Sequence, residues 1–201
     1  MYALPIACSC ALLLIIVLLI VLRKKLTLFL RDKSTLMPED QRTFSMSSTM
    51  IFYWTVLIFA SICYIGIVSG SLPTIESGVL ILMGIVVGTT TAGKVIDTTQ
   101  SIDPTIARSQ DMSPTQGFLT DILSDANGIS VARFQTLVFN IIYGFAFLSI
   151  VITKQSLYDF PPQTLTLLGI SSGAYALLKI PENSKPTVNP PTPQQATTAI
   201  S

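Results

Sequence analysis

Histidine is missing from the chain altogether, and charge is scarce, with 11% of the residues Asp, Glu, Lys or Arg, where soluble domains carry about 25%. The first absence removes the commonest general base, the usual activator of a nucleophile and the commonest metal ligand. The second is the composition of a chain whose surface meets lipid. The formal net charge of +1 is too small to attract nucleic acid or an acidic partner, so no nucleic-acid binding is expected. Cysteine is limited to Cys8, Cys10 and Cys63, all inside apolar runs, where a thiol behaves as a small hydrophobe. Cys8 and Cys10 stand too close together for a zinc knuckle, and no second pair follows. "PIAC" does not read as a lipoprotein site, because neither a charged segment nor an apolar core precedes Cys8. No cofactor and no metal is expected.

Apolar residues are abundant. They make up half of the chain, and the mean hydropathy is +0.63. A helix needs roughly 20 apolar residues to cross the hydrocarbon of a bilayer. Residues 3–22, "ALPIACSCALLLIIVLLIVL", meet that length. A cleaved signal peptide would want a basic start, a shorter core and a small-residue cleavage site. Here the start is uncharged and the core runs into "RKK", so a retained anchor is expected. Further spans are expected over 50–68 and 132–152, and two shorter ones, rich in small residues, over 78–93 and 165–180. Each shorter run follows its predecessor after a tight connection, as the returning arm of a hairpin does.

Basic residues set the direction. Arg23, Lys24, Lys25, Arg31, Lys33 and Arg42 crowd the segment after the first span, which marks a cytoplasmic segment. The N-terminus is then outside and the C-terminus cytoplasmic. "KKLTLFLRDK" interleaves apolar with basic residues. It suits either a helix lying on anionic lipid or a straight continuation of the first helix.

The chain also repeats itself without a gap. At one constant offset, Ser45 matches Ser130, Ser71 matches Ser156, Gly84 matches Gly169, Gly88 matches Gly173 and Lys94 matches Lys179. Both copies start on the same side, so a pseudo-twofold axis along the membrane normal is expected. Ser45 and Ser130 precede apolar runs, where a hydroxyl caps the first free N–H groups. The fold class expected is all-α: an integral membrane protein with an N-terminal anchor helix plus two parallel-repeat transmembrane hairpins, about five spans in all. The organisation reads as anchor (1–22), basic cytoplasmic linker (23–49), first hairpin (50–95), cytoplasmic linker with a short amphipathic helix (96–131), second hairpin (132–182) and Pro/Thr-rich cytoplasmic tail (183–201).

"GTTTAGKVID", residues 88–97, nearly spells a phosphate-binding loop. That loop needs a strand before it and a magnesium-binding hydroxyl after its lysine. Here an apolar helix precedes it and Val95 follows Lys94. The second copy keeps the lysine but has Leu178 in place of Gly93, so nucleotide binding is rejected. What the copies share is glycine and a lysine. In lipid, close backbone approach through small residues replaces the hydrophobic drive between helices. Gly66 with Gly70, Gly84 with Gly88 and Gly169 with Gly173 are therefore expected to pack helices. Lys94 and Lys179 are expected to anchor helix ends at the interface.

The chemistry inside the spans is sparse. They hold no Asp or Glu, which argues against a proton relay or ion-coupled carrier. Asn140 is expected to make an interhelical hydrogen bond. Ser171 and Ser172 have no base beside them, so a serine nucleophile has no support. Asp121, Asp125 and Asn127 lack the alternating ligands of a calcium loop. No enzyme is expected.

"GFLTDILSDANGISVARFQ", "LLGISSGAYALLKIPE" and "LMGIVVGTTTAGKVID" together resemble small multi-pass bacterial inner-membrane proteins with a duplicated hairpin. The resemblance covers roughly residues 43–183. It implies a bacterial inner-membrane location and supplies no activity, cofactor or catalytic residue. Two functions then stand open. One is a membrane anchor or scaffold, a homo-oligomer or a subunit of a larger membrane complex, that recruits a cytoplasmic protein partner. The other is an oligomeric pore of low selectivity, several copies around a conduit lined by Thr89, Thr90, Thr91, Asn140, Ser171 and Ser172.

Overall fold

A computed structural model describes residues 3–21, 23–32, 37–102, 114–125 and 128–182. The expected Pro/Thr-rich tail, the loop over 103–113, Asn127 and the side chain of Lys179 lie outside the described residues. The helices are α1 (Ala3–Val21), α2 (Arg23–Phe29), α3 (Met46–Ser69), α4 (Ser77–Ile102), α5 (Phe118–Leu123), α6 (Val131–Lys154) and α7 (Pro162–Glu182). Between α5 and α6 a two-residue ladder pairs β1 (Ser124–Asp125) with β2 (Gly128–Ile129).

Four helices are long and apolar enough to cross a membrane, over 4–21, 46–69, 77–100 and 131–154. The expected fifth, α7, is not among them. Thr164, Thr166, Ser171, Ser172 and Lys179 dilute its apolar content. It packs nonetheless as the return arm of a hairpin, against α6 and α4.

The outgoing arms have matched boundaries. α3 and α6 are 24 residues each. Each begins after a serine N-cap and ends on a left-handed residue, Gly70 at φ 69° and Gln155 at φ 53°. Only one cap uses its hydroxyl as expected. Ser45 Oγ accepts from Ser48 N at 3.5 Å, whereas Ser130 makes no side-chain capping bond. Its backbone N–H instead donates to Leu123 O at 2.8 Å, which seats the preceding ladder on α5.

α4 overruns its expected end. It continues past Lys94 to Ile102, through residues read as loop from their polarity. The threonines there do not break the helix, because Thr98 and Thr99 return their hydroxyls to Lys94 O and Val95 O at 2.8 Å each. Gln100 Nε2 then donates to Ile180 O at 3.3 Å, joining the ends of α4 and α7. Lys94 is therefore exposed two turns before its helix ends, away from the dipole terminus it was expected to occupy.

α3, α4, α7 and α6 form a ring in that order, and α1 lies outside it against α3. Neighbours within a hairpin run antiparallel. Between hairpins, like arms run side by side: Trp54 meets Asn140, and Gly78 meets Asp159. A twofold axis parallel to the helices would place α3 and α6 at opposite corners. They are neighbours, so the expected axis is not the relation between the hairpins. A side-by-side contact uses different faces of the two copies, and the contact residues differ accordingly. Trp54 corresponds to Phe139, and Asn140 corresponds to Thr55.

Trp54, Phe147 and Phe160 centre the core at 0%, 0% and 2% exposure. Phe147 and Phe160 stack at 5.8 Å, and Trp54 stands edge-on to both. Such pairs contribute about 0.5–1.5 kcal/mol each beyond area burial. Phe160 and Leu157 come from the connection between α6 and α7, which folds into the bundle and closes that end.

Candidate functional site

The inward face of α4 is Val79, Leu82, Val86, Thr90, Gly93 and Gln100, all buried. Residues two positions on from an inward residue lie about 200° around the helix. Gly84 and Gly88 stand in that relation to Leu82 and Val86. They are exposed, and a Cβ on either would touch nothing within 4 Å. Within the chain they pack no helix. Gly173 likewise has open space, and Gly70 serves as a left-handed cap. Gly169 faces Ile85 Cδ1 at 3.6 Å, an ordinary van der Waals contact. Gly66 is the one of the six with a close approach: Cys8 Sγ from α1 lies 2.5 Å from where its Cβ would stand.

Two glycines that the sequence reading passed over are also close-fitted. A Cβ on Gly144 would overlap the Tyr53 hydroxyl. One on Gly78 would stand 2.6 Å from both Phe160 N and Asp159 Oδ1. Gly78 N–H donates to Asp159 Oδ1 at 3.0 Å, so one hairpin caps the other.

Polar groups gather between the aromatic core and the end where α3 and α6 begin. Trp54 Nε1 donates to Asn140 Oδ1 at 2.7 Å, and Asn140 Nδ2 donates to Thr136 O at 2.7 Å. Thr136 Oγ1 lies 3.0 Å from Ser171 Oγ. Thr90 Oγ1 lies 3.3 Å from Ser47 O and 2.8 Å from Val86 O, with its hydroxyl as donor. Among the described residues every buried side-chain nitrogen or oxygen has a hydrogen-bond partner.

Inside this network is a cavity of about 10 Å³, lined by Ser47, Thr89, Thr136, Asn140, Ser172 and Tyr175 with Met46, Met50 and Val86. That is room for about one water molecule. Asn140, Ser172 and Thr89 from the expected polar set meet there. Ser171 and Thr90 are spent on helix–helix hydrogen bonds, and Thr91 lies on the exposed side of α4. Ser47, Thr136 and Tyr175 were not anticipated. Thr136 had a signal, since it lies one turn before Asn140 on the same face.

α5 packs against three residues of the cavity wall. Ile122, 1% exposed, packs with Met46, Met50 and Tyr175. Arg133, buried, stands over the Tyr175 ring at 5.3 Å. Asp121 is buried and ties α5 to the residue before the α3 cap through Phe44 N at 3.1 Å. The linker before α3 is folded onto the same end. Arg31 pairs with Phe44 as an isolated antiparallel bridge, and its guanidinium lies 4.5 Å from that ring. Among the described residues no group of three or more Cys, Asp or Glu is placed to hold a metal ion.

No protein-family model, no curated protein and no solved structure matches this chain. The functional reading therefore rests on the chain's own geometry.

Proposed function

We propose that this chain is a five-span protein of the bacterial inner membrane, N-terminus outside and C-terminus cytoplasmic, built by duplication of one hairpin. It acts without enzymatic chemistry as an anchor or scaffold subunit. Its partners are the lipid bilayer, further copies of itself or other membrane subunits, and a cytoplasmic protein. The observation that carries this reading is the division of α4 into two faces. Its inward face is buried, while Gly84 and Gly88 stand exposed on the other with nothing against them. Exposed glycines one turn apart are the means by which helices approach closely in lipid. The matched ends of α3 and α6 support the duplication. Basic Lys25, Arg31 and Arg42 at the end where α3 begins support the orientation.

A pore is the second reading, and the hydroxyl lining of the cavity favours it. A conduit through one chain is opposed by the cavity's volume, about 10 Å³. Crosslinking in native membranes, with and without Gly84→Leu and Gly88→Leu, tests the scaffold. Self-crosslinked or complex-bound species should fall at least about tenfold in the double variant, a loss of about 1.4 kcal/mol, with the monomer fold retained. Steady current in planar bilayers that vanishes on Ser172→Leu would overturn the scaffold in favour of the pore.

A further inference from the structure

Two apolar residues at the start of the second hairpin are bare. Ile129 is 77% exposed and Val131 is 79% exposed. Their repeat mates are covered. At the constant offset Phe44 corresponds to Ile129, and Met46 to Val131. Phe118 stands edge-on to the Phe44 ring at 5.2 Å between centroids, and Ile122 packs with Met46, which is 1% exposed. α5 therefore covers these positions in the first hairpin. Among the described residues no element does the same in the second.

The bare pair continues a longer apolar face. Val131, Phe134, Ile141, Phe145 and Ile152 are all exposed and recur at helical spacing along one side of α6. α6 has 24 residues and is about 36 Å long, against about 30 Å of hydrocarbon in a bilayer. Thr153 and Lys154 at its far end are polar. With Ile152 at one hydrocarbon boundary, Val131 falls at the other and Ile129 just beyond it. Gln135 is exposed on the same side, but helical side chains lean toward the N-terminus, so its amide reaches back to that boundary. Arg133 is the one charged residue from 128 to 134, and it is buried over the Tyr175 ring.

We propose that Ile129 and Val131 form an apolar foot that enters the interfacial layer of the bilayer and seats the start of the second hairpin in lipid. The partner is the glycerol and upper acyl region of the lipid. Headgroup charge plays no part, because the one cation of this stretch is buried against Tyr175. The same repeat positions thus meet protein in the first hairpin and lipid in the second. The inference rests on the membrane reading of α6 and holds whichever side of the membrane that end faces.

The test uses full-length protein in vesicles of zwitterionic phosphatidylcholine. Cys8, Cys10 and Cys63 are changed to Ala, and a nitroxide is attached in turn at Ile129→Cys, Val131→Cys, Phe145→Cys and Glu39→Cys, all exposed positions. Collisions with oxygen, which concentrates in lipid, are compared with collisions with a nickel chelate, which stays in water. The oxygen-to-nickel ratio at 129 and 131 should be several-fold above that at 39 and below that at 145. A ratio at 129 and 131 equal to that at 39, with a high one at 145, overturns the foot and leaves the membrane reading standing. A low ratio at 145 as well overturns both. Poor access to both reagents at 131, with dipolar broadening between labels, would show a second copy in place of lipid and overturns the proposal. Should the cysteine-free chain not fold, a lipid-soluble carbene precursor photolysed with the unaltered chain decides. Residues 129–134 must then carry label as 141–152 do, and label confined to 141–152 refutes the foot.

Discussion

The indole N–H of Trp54 meets the Asn140 side-chain oxygen at 2.7 Å, and this bond joins the outgoing arms of two hairpins inside an apolar core. Both residues are buried, at 0% and 3% exposure. A lost partner would leave a polar group stranded, at about 1–3 kcal/mol. Asn140→Leu should therefore destabilise the bundle by that order in a denaturant titration in micelles. Trp54→Phe in the same chain should recover part of the loss. A double-mutant cycle should return a coupling of about 0.6–1.7 kcal/mol. A coupling indistinguishable from zero would mean that the bond does not form in lipid.

Cys8 offers a direct check on the seat of α1. Its Cβ lies 3.5 Å from the position a Cβ would take on Gly66, at the short edge of the range of about 3.5–4.5 Å found across disulfides. With Cys10 and Cys63 replaced, Gly66→Cys should oxidise intramolecularly with Cys8, seen as loss of both thiols by mass spectrometry. Persistence of both thiols under oxidant would show that α1 leaves α3 in the membrane.

Three glycines should rank by what surrounds them. Gly78→Ala drives a Cβ into Phe160 backbone at 2.6 Å and should cost the most, about 3 kcal/mol or more. Gly144→Ala displaces the far end of the Tyr53 side chain and should cost about 1–2 kcal/mol. Gly84→Ala enters open space in mid-helix and should gain up to about 1 kcal/mol in monomer stability. Thermal unfolding of the three variants checks the order, and a destabilising Gly84→Ala would break it.

The paired caps give opposite signs. Gln155 carries a side chain at φ 53°, where the left-handed conformation costs about 1–2 kcal/mol. Gln155→Gly should raise stability by about 1 kcal/mol, and Gly70→Gln should lower it by a similar amount. The same unfolding measurement reads both. A loss of stability on Gln155→Gly would mean that its side chain makes contacts outweighing the backbone strain.

Much of this architecture is legible along the chain. Apolar length made α1, α3 and α6 readable, because a run of about 20 residues with little or no charge has few other uses, and α4 was read as a shorter run returning after a tight connection. The hairpins were readable from the tight connections at 70–76 and 155–161, and α5 from the apolar Phe118, Leu119, Ile122 and Leu123, although Leu119 turns outward, 63% exposed. The faces were not. Gly84 and Gly88 meet no other helix of their own chain, which their spacing alone could not reveal, because glycine spacing is a one-dimensional signal. Which side of a helix turns inward depends on its neighbours, and on α4 it was the side of Leu82 and Val86.

What the residues decided alone is an all-helical chain rich in membrane-length apolar helices, poor in charge and without histidine. These are sums over local composition and length. What only the tertiary structure decided is that the hairpins stand side by side, that Asn140 answers Trp54, and that a short helix packs against the wall of a one-water cavity. Each of those is a meeting of residues far apart along the chain. Local propensity carries no record of such meetings, and packing selects one arrangement among several that the same periodicity allows.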